Sequence, residues 1–401
     1  MIFVGEKMDY KKLSDLCDVV SGGTPARSRI ECWENGTIPW VKISDLSSKY
    51  IKGTEEKITE TGLKESSAKL LPRGTILFSI FATLGATGIL DIDASTNQAI
   101  AGLTVRDSRT IDPEYIYYYL LSKKTYVNNI GRGVAQNNIN LSILKSLEVP
   151  VPTVDEQRSI IAILNKNDAI ITGKRKVLKA LNELVKARFV EMFGEPIANP
   201  MGWPVKRLKD VSVLITNGNT PKGGSKNYVE SGITFLRSQN VWRNRIELDD
   251  VAFIDAETHE SMKKSSLHHN DILITKTGRI NTENSSLGRA ALFKGADNSA
   301  NINGHVYLVR LDGSIVPEFV VTILTGEAYR KYIRKVCVGG IDKRQINVDQ
   351  VENFPIIIPP YEQQKMFAAF AAQVDKSKVA VQKSLDETQL LFNSLMQKYF
   401  G

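Results

Sequence analysis

The 401-residue chain repeats itself at a period of about 200 residues, and this repeat limits its possible folds more than any other feature. Residues 12–16 (KLSDL) return at 207–211 (RLKDV), and residues 38–42 (IPWVK) return at 233–237 (ITFLR). The second pair has the pattern of a β-strand and ends on a basic residue both times. The chain is therefore predicted to contain one folded module twice.

Further matches occur in the same order toward the end of each module. Residues 112–116 (DPEYI) correspond to 316–320 (VPEFV), and residues 138–141 (NINL) correspond to 345–348 (QINV). In the first of these pairs a proline precedes an apolar segment, which predicts the first turn of a helix. Strand and helix patterns within one repeat predict mixed α/β modules.

Each module is followed by a long segment without proline, from about Asp155 to Phe193 and from about Glu362 to Phe400. Both segments are predicted to be helices, because their apolar residues recur mostly at spacings of 3, 4 and 7 and form one stripe. The stripe consists of Ile160, Leu164, Ile171, Leu178, Leu181, Val185 and Met192 in the first helix, and of Phe367, Phe370, Val374, Val381, Leu385, Phe392, Leu395 and Tyr399 in the second. A helix packed on its own module would explain one such stripe. Two stripes in equivalent places favour a seam between the helices.

These patterns divide the chain into five segments. We predict a first module at residues 1–151, a first helix at 152–194, a linker at 195–206, a second module at 207–358 and a second helix at 359–401. The linker is rich in proline and glycine, which end the first helix. The predicted fold class is a tandem repeat of α/β (α+β) modules, separated by two long coiled-coil-like helices, with pseudo-two-fold internal symmetry.

The formal net charge is +8 and the isoelectric point is near 9.1. An excess of lysine and arginine favours a polyanionic partner, because neutralising phosphates releases their condensed counterions. Many basic proteins bind no nucleic acid, so charge alone leaves the partner open.

Cysteine content and hydropathy exclude other classes. Cys17, Cys32 and Cys337 form no C-x-x-C pair, so we predict buried free thiols and neither a disulfide framework nor a zinc ribbon. The apolar runs are far shorter than the roughly 20 residues that span a bilayer, and the N-terminal residues lack a signal-peptide pattern. A cytoplasmic protein is expected.

Motifs that would indicate catalysis are incomplete. Residues 199–202 (NPMG) lack the second proline and the aromatic residue that an amino-methyltransferase needs. Residues 218–225 (GNTPKGGS) have Gly224 where a phosphate-binding loop requires lysine, and the acidic pair at 249–250 has no following lysine of a nuclease. The histidines, which lack metal-ligand spacing, are His259, His268, His269 and His305. We therefore predict no catalytic residues, no metal and no cofactor.

The order of module, helix, linker, module and helix resembles the specificity subunit of type I restriction-modification systems. The linker motif F-G-E-P-x-x-N-P-x-G-W at 193–203 and the P-x-x-x-E-Q entry to each helix, at 152–157 and as P-P-Y-E-Q-Q at 359–364, are similar to that family. The resemblance implies that the modules are target recognition domains for double-stranded DNA and that the helices are antiparallel spacers. It also implies two adenine methyltransferase subunits as partners, with restriction subunits in the full complex.

Arginine and lysine commonly read guanine edges, and asparagine and glutamine read adenine edges, so clusters of these residues are the predicted DNA contacts. In the first module they are Lys42, Ser44, Arg132, Gln136, Asn137 and Asn138. In the second module they are Arg237, Gln239, Asn240, Arg243, Arg245, Lys276, Arg279, Lys343, Arg344 and Gln345. Taken singly, each could equally be a solvated surface side chain or, for asparagine, part of a turn.

The two copies differ most in their loops. The basic loop 275–279 (TKTGR) corresponds to 79–83 (SIFAT) in the first module, which has only apolar or small side chains there. Such divergence predicts a bipartite DNA target with two different half-sites. We predict a non-catalytic subunit that reads DNA for partner enzymes. The alternative is a repeat-containing scaffold that binds another polyanion or a protein, and a third hypothesis is a self-contained modification enzyme.

Overall fold

The chain forms two compact units in the computed structural model. One unit combines Met1–Lys176 with Gln382–Gly401, and the other is Val177–Val381. Each unit therefore contains one module and one half of each long helix. The ranges that the structure describes are 9–131, 139–280, 282, 284–340 and 343–401. No helix in these ranges is long and apolar enough to cross a membrane.

The first module contains ten strands and five helices in its described residues. They are β1 (Tyr10–Lys12), α1 (Leu13–Leu16), β2 (Cys17–Ser21), β3 (Ile38–Val41), β4 (Tyr50–Ile51), β5 (Glu56–Ile58), α2 (Glu60–Lys64), β6 (Ile76–Ser79), β7 (Thr87–Leu90), β8 (Ser95–Thr96), β9 (Ile100–Val105), α3 (Pro113–Ser122), α4 (Lys124–Gly131), α5 (Leu141–Lys145) and β10 (Glu148–Pro150). The strands form a five-stranded sheet in the order β2-β9-β6-β7-β4, a three-stranded sheet in the order β5-β3-β8, and the pair β1-β10.

A long helix, α6 (Val154–Phe193), leads to the second module, and a second long helix, α11 (Tyr361–Phe400), follows it. The elements between them are β11 (Val205–Arg207), β12 (Ser212–Asn217), β13 (Ile233–Leu236), β14 (Val241–Trp242), β15 (Arg245–Ile246), β16 (Ala252–Ile254), α7 (Ala256–Ser261), β17 (Ile272–Thr275), β18 (Thr277–Gly278), β19 (Ala290–Leu292), β20 (Ala300–Ile302), β21 (Val306–Leu311), α8 (Pro317–Thr325), α9 (Glu327–Val336), β22 (Val338–Gly339), β23 (Arg344–Gln345), α10 (Val348–Glu352) and β24 (Pro355–Ile357). The main sheets have the orders β12-β21-β17-β19 and β16-β13-β20, with the small sheets β11-β24, β14-β15 and β18-β23-β22 beside them.

The two modules share one strand framework. The order β2-β9-β6-β7 in the first matches β12-β21-β17-β19 in the second. Strands β3 and β13 each pair with one antiparallel strand and one parallel strand. The sequence prediction that residues 38–42 and 233–237 contain equivalent strands is therefore confirmed. The modules differ at the sheet edge, because β4 pairs with β7 in the first module, whereas the second has the β14-β15 hairpin at this point of the chain.

The predicted proline-opened helices are α3 and α8, which begin at Pro113 and Pro317. Proline suits the first turn because its missing N–H would have no helical acceptor there. In α3 the carboxylate of Asp112 accepts a hydrogen bond from the Glu114 N–H at 2.8 Å and caps the helix. Val316 cannot cap α8 in this way, and that helix obtains its polar partner from α11.

That partner is the last glutamine of the P-x-x-x-E-Q motif. In both copies this glutamine accepts a hydrogen bond from the backbone N–H that precedes the proline-opened helix. The Gln157 Oε1 atom accepts from the Asp112 N–H at 2.9 Å, while its Nε2 donates to backbone oxygens of Thr110 and Pro152. The Gln364 Oε1 atom accepts from the Val316 N–H at 3.0 Å. Both side chains are almost fully buried. Since buried polar groups need partners, each glutamine fixes the start of a long helix on its own module.

Both long helices have 40 residues and begin within one residue of the predicted start. All the predicted stripe residues are buried or half-buried. In the first unit Lys174 Nζ of α6 donates to the Ser384 backbone oxygen of α11 at 2.8 Å, and in the second unit the rings of Phe189 and Phe367 lie 5.3 Å apart. In each unit the later half of one helix meets the earlier half of the other, which is antiparallel packing.

Aromatic residues near the ends of the helices are part of the module cores. In the second unit the Phe193 ring of α6 contacts the Phe319 ring of α8 edge to face at 4.9 Å. In the first unit the Phe400 ring of α11 contacts the Tyr115 ring of α3 at 5.1 Å. These phenylalanines are buried, and each edge-to-face pair adds about 0.5–1.5 kcal/mol to the effect of burial. The pairs Phe193-Gly194 and Phe400-Gly401, which end the two long helices, thus mark where each helix is anchored.

Candidate nucleic-acid interface

The first cluster of predicted DNA contacts in the second module lies in the turn after β13. Arg237 Nη2 donates to the backbone oxygen and the carboxylate of Asp250, and Gln239 Nε2 donates to the same carboxylate at 2.5 Å. Both side chains therefore share one exposed acidic partner, whose side chain is 78% accessible. Because Asp250 is open to solvent, its ion pair with the half-buried Arg237 is screened, and a phosphate or base edge can compete for these donors.

Asn240 has a different position from its neighbours in this cluster. Its side chain is 2% exposed, its Oδ1 accepts from the Arg237 N–H at 2.9 Å, and its Nδ2 donates to the backbone oxygens of Glu247 and Asp250. The amide closes the loop between β13 and β16 and does not face solvent. The Asn240 amide is therefore not available to a base edge. The turn-forming alternative considered from the sequence describes it better.

Arg243 and Arg245 lie on the hairpin β14-β15, in which Trp242 pairs with Arg245. Asn244 at the tip has a φ of 56°, a left-handed conformation that asparagine tolerates better than most residues. Arg243 and Arg245 are both exposed. Arg245 donates to the Glu247 carboxylate at 2.9 Å, and its guanidinium carbon lies 5.2 Å from the Trp242 ring centroid. The hairpin therefore presents two arginines at a single turn.

A second cluster joins two segments that are far apart in sequence. Strand β18 pairs with β23, which places Gly278 opposite Arg344 and Thr277 opposite Gln345. The cations next to these strands come together as a result, since Lys276 and Arg279 flank β18 and Lys343 precedes β23. Arg279 and Lys343 are exposed, whereas Lys276, Arg344 and Gln345 are half-buried. Folding thus unites the two basic groups that the sequence analysis singled out separately.

Among the described residues of the first module, the predicted contact Lys42 is held by two carboxylates. Lys42 Nζ donates to Glu55 at 3.1 Å and to Glu56 at 2.7 Å. These hydrogen bonds, led by the one to Glu56, raise the pKa of Lys42 above its ordinary value. Ser44 is exposed in a short turn after β3. Residues Arg132, Gln136, Asn137 and Asn138 lie outside the described residues.

The sequence does not single out two cations that the fold takes largely out of solvent, the half-buried Lys49 and the buried Arg289. Lys49, beside β4, pairs with Glu114 at 2.8 Å and contacts Asn165 of α6. Arg289, at the start of β19, lies 3.9 Å from the centroid of the Trp242 ring. Neither position stands out in a repeat comparison, because the partners of each cation come from distant segments.

Neither a metal site nor a reactive thiol is found among the described residues of the candidate interface. Among the described residues, no group of three or more histidine, cysteine or acidic residues is arranged to hold a metal ion. The three cysteines are free and buried, as predicted. Burial raises the pKa of the Cys17 thiol to about 12, so this thiol stays protonated at neutral pH.

Sequence comparison places both repeats in one family. The type I restriction modification DNA specificity domain matches residues 5–183 and again residues 200–388. The specificity subunit of the type I restriction enzyme MjaIX from Methanocaldococcus jannaschii is 27% identical over 418 residues, which cover 97% of this chain and 92% of that subunit. The MjaVIII specificity subunit of the same organism is 24% identical, with 93% and 87% covered.

A solved structure has the same fold along the whole chain. The crystal structure of a type I restriction-modification S subunit from M. genitalium superposes with a TM-score of 0.56 at 15% identity and covers 100% of this chain and 98% of that one. Since the family's domain matches most of each repeat, in the order that the strand framework repeats, this chain belongs to the type I restriction modification DNA specificity family.

Proposed function

We propose that this chain is the DNA specificity subunit of a type I restriction-modification complex, in which each module reads one half of a bipartite, asymmetric target. The observation that carries the proposal is a duplicated framework whose arginine, lysine and amide side chains gather on the turns after β3 and β13 and on the strands β18 and β23. Those residue types are the usual readers of base edges and phosphates.

The asymmetry of the target follows from the differences between these turns. In the second module Arg237, Arg243 and Arg245 follow β13 within nine residues, whereas Lys42 after β3 is held by two glutamates. Different side chains at equivalent points present different donors to DNA, so the two half-sites should differ in sequence. Linking the modules through two long helices makes the second contact intramolecular and raises the overall affinity.

The chain itself is proposed to be non-catalytic and to hold methyltransferase subunits on its long helices. An exposed apolar stripe on α6 supports a partner there. Its members are Ile163, Ile170, Val177 and Leu184, which are 40%, 40%, 46% and 46% exposed and recur every 7 residues. They lie one position before the covered stripe at Leu164, Ile171, Leu178 and Val185. A regular apolar heptad position left open to solvent is typical of a helix that packs against another helix.

This docking surface can be tested by charge substitution on α6. Combined Ile170→Glu and Val177→Glu should abolish co-purification of the methyltransferase subunit, because two carboxylates would be buried in an apolar contact. The matched control is Asn182→Glu, which adds a carboxylate on the same helix at an exposed position outside the stripe. Retention of the methyltransferase by the double variant would place its docking surface elsewhere.

The central experiment exchanges residues 12–150 for the equivalent module of a relative and maps methylated adenines in cells that express the complete complex. We expect one half of the methylated target to change and the other half and its position to persist. A change in both halves would contradict the assignment of one half-site to each module. Methyl transfer by the isolated chain would contradict the non-catalytic assignment.

Salt dependence separates sequence reading from general polyanion binding. The complex should bind its mapped target roughly a thousandfold or more tighter than unrelated duplex, with affinity falling linearly in log salt. Equal affinity for target DNA, unrelated DNA and heparin would instead support the scaffold that binds any polyanion.

A further inference from the structure

Residues 218–226 (GNTPKGGSK) have Gly224 where a nucleotide-binding loop requires lysine, and the function proposed above gives them no part. They lie between β12 and β13, and residues 22–29 (GGTPARSR) lie at the equivalent point between β2 and β3. We name the two segments the Thr-Pro turns. Each contains two basic residues after its proline, which are Arg27 and Arg29 in the first module and Lys222 and Lys226 in the second.

The same backbone contacts hold both Thr-Pro turns. The Gly22 N–H donates to the first residue of β9 at 3.1 Å, and the Gly218 N–H donates to the first residue of β21 at 3.0 Å. A Cβ atom on Gly22 would lie 2.3 Å from the Thr96 backbone oxygen, and one on Gly218 would lie 2.1 Å from the Ile302 backbone oxygen. Only glycine permits so close an approach of two backbones, so each turn is seated at the end of β8 or β20.

In the second module the Thr-Pro turn lies between the two clusters of predicted DNA contacts. A Cβ atom on Gly218 would also lie 2.5 Å from the Asn303 backbone oxygen. The Asn303 N–H donates at 3.0 Å to the last residue of β13, directly before Arg237. Two residues further on, the His305 oxygen accepts from the Lys276 N–H at 2.8 Å. One short segment therefore connects both clusters, and the turn packs against it.

The Thr-Pro turn of the first module also lies beside a predicted contact. The Arg27 guanidinium pairs with Glu56 at 2.6 Å, and the same carboxylate pairs with Lys42 at 2.7 Å. Arg27 also lies over the Trp33 ring, 3.8 Å from its centroid, while its side chain remains 55% exposed. Both turns are thus continuous with the surface that carries the predicted DNA contacts.

The cations of the two turns differ in their partners. Arg29 pairs with Glu65 at 2.5 Å and with Glu31 at 2.8 Å. Lys222 and Lys226 are exposed, and no carboxylate in the described part of the chain forms an ion pair with either. A phosphate can therefore neutralise these two lysines without first displacing a carboxylate.

From these contacts we propose that the Thr-Pro turn of each module binds the DNA phosphate backbone independently of sequence, and that Lys222 and Lys226 make the stronger contact. The inference rests on the proposed function and adds which part of each module positions the DNA rather than reads it. Two modules that read different half-sites share this turn in its seating, its Thr-Pro pair and its cations. A shared feature suits what all duplexes have in common, which is the phosphate backbone.

The test measures DNA binding by the complete complex with its methyltransferase subunits, after the target has been mapped from methylated adenines. Combined Lys222→Gln and Lys226→Gln should weaken binding to target and unrelated duplex by the same factor, about tenfold. The slope of log affinity against log salt should fall by about 2, and the methylated sequence should not change.

The matched control is combined Lys206→Gln and Lys209→Gln, which removes the same charge from exposed lysines of the same module. These lysines precede the first residue of β12, whereas the Thr-Pro turn follows its last residue. Six residues of strand separate the two places by roughly 20 Å. The control should leave the salt slope unchanged.

Neutral methylphosphonates, placed singly along the target backbone, locate the contact directly. The second half-site is identified beforehand as the half that persists when residues 12–150 are exchanged. One or two substitutions beside that half should weaken binding of the wild-type complex. The same substitutions should not weaken binding of the lysine double variant further, because the two changes remove one interaction.

Three results would contradict the inference. A relaxed second half-site in the lysine double variant would show that these lysines read bases. An unchanged salt slope, or an equal fall in the control, would show that the turn makes no contact of its own. Additive losses at every methylphosphonate would show the same. A wild-type complex that methylates no defined bipartite sequence would instead overturn the proposed function, and this result is visible before any variant is made.

Discussion

The segments that follow the equivalent strands β3 and β13 differ between the two modules. After β3, the first module turns inward, with Lys49 paired to Glu114 and bound to Asn165 of the long helix, and its strand β4 completes the sheet. After β13, the second module turns outward into a hairpin that carries Arg243 and Arg245. A cation that anchors the module in one copy is thus replaced by cations that face solvent in the other.

The core elements are shared by the two modules, whereas the loops at the edge of the sheet differ. The sheets, the proline-opened helices and the buried glutamines occur in both copies, because they form each core. The edge of the sheet is exposed on one side, so its loops can change without loss of the core. Substitutions in the framework should therefore act equally on the two units, and substitutions at the edge should act unequally.

The largest effects are expected at the aromatic anchors. Phe193→Ala and Phe400→Ala should each lower the free energy of unfolding by about 3–5 kcal/mol, because each deletes a buried ring. Hydrogen exchange of the complex should show the loss in the second unit for Phe193 and in the first unit for Phe400. Val190→Ala, at an exposed apolar residue of the same helix, is the control and should have little effect. Strongly unequal losses would contradict a shared framework.

The next effect should distinguish the modules. Glu114→Gln should cost about 2 kcal/mol, because it leaves the cation of Lys49, whose side chain is 14% exposed, without its charged partner. The equivalent Glu318→Gln should cost less than about 1 kcal/mol, because Lys294 opposite it is 52% exposed. Denaturant unfolding of both variants measures this difference. Equal costs would show that the inward turn of the first module is not an anchor.

The buried glutamines should behave alike at a smaller magnitude. Gln157→Leu and Gln364→Leu each leave a backbone N–H without an acceptor, which should cost about 1–2 kcal/mol. Gln157 also donates to two backbone oxygens and Gln364 to one, so the first variant should be slightly the worse. Thermal unfolding of the two variants checks the order. A neutral result in one of them would mean that its helix start is held by other contacts.

The smallest effect concerns pH and applies to the first unit. Burial raises the pKa of Glu114, but hydrogen bonds from Lys49, Tyr50 and Asn165 outweigh it, so the pKa lies below its ordinary value of 4.5. A depressed pKa stabilises the fold above the unfolded value, and this contribution is lost as pH falls through the folded value. The stability gap between wild type and Glu114→Gln should therefore be constant near neutral pH and shrink below about 4.5. A gap that persists in acid would indicate packing rather than charge.

The sequence predicted the elements that depend on local chemistry. Both long helices, the prolines at Pro113 and Pro317 and the strands at 38–42 and 233–237 were found where the repeat placed them. The family resemblance was also correct. These features depend on residue spacing and composition within a single segment, so they can be recognised without knowing which other segments pack against it.

Candidate site residues were harder to assign. Asn240 looks like a base reader in the sequence, but three hydrogen bonds hold it inside a turn. Lys49 and Arg289 look like ordinary surface cations, but segments far away in the chain leave Lys49 half-buried and Arg289 buried. Side-chain type indicates what a residue can bind, whereas burial decides whether it is available.

The sequence by itself determined the duplicated framework, the long helices and the family, because periodic apolar residues and helix-opening prolines act locally and recur in both copies. Only the tertiary structure decided which cations face solvent. Lys49 is half-buried by its contacts with Glu114 and Asn165. The β14-β15 hairpin is exposed, and its Trp242 ring packs on the buried Arg289. The physical reason is that a charge is buried or exposed according to the partners that distant segments bring to it, and no local pattern records those partners.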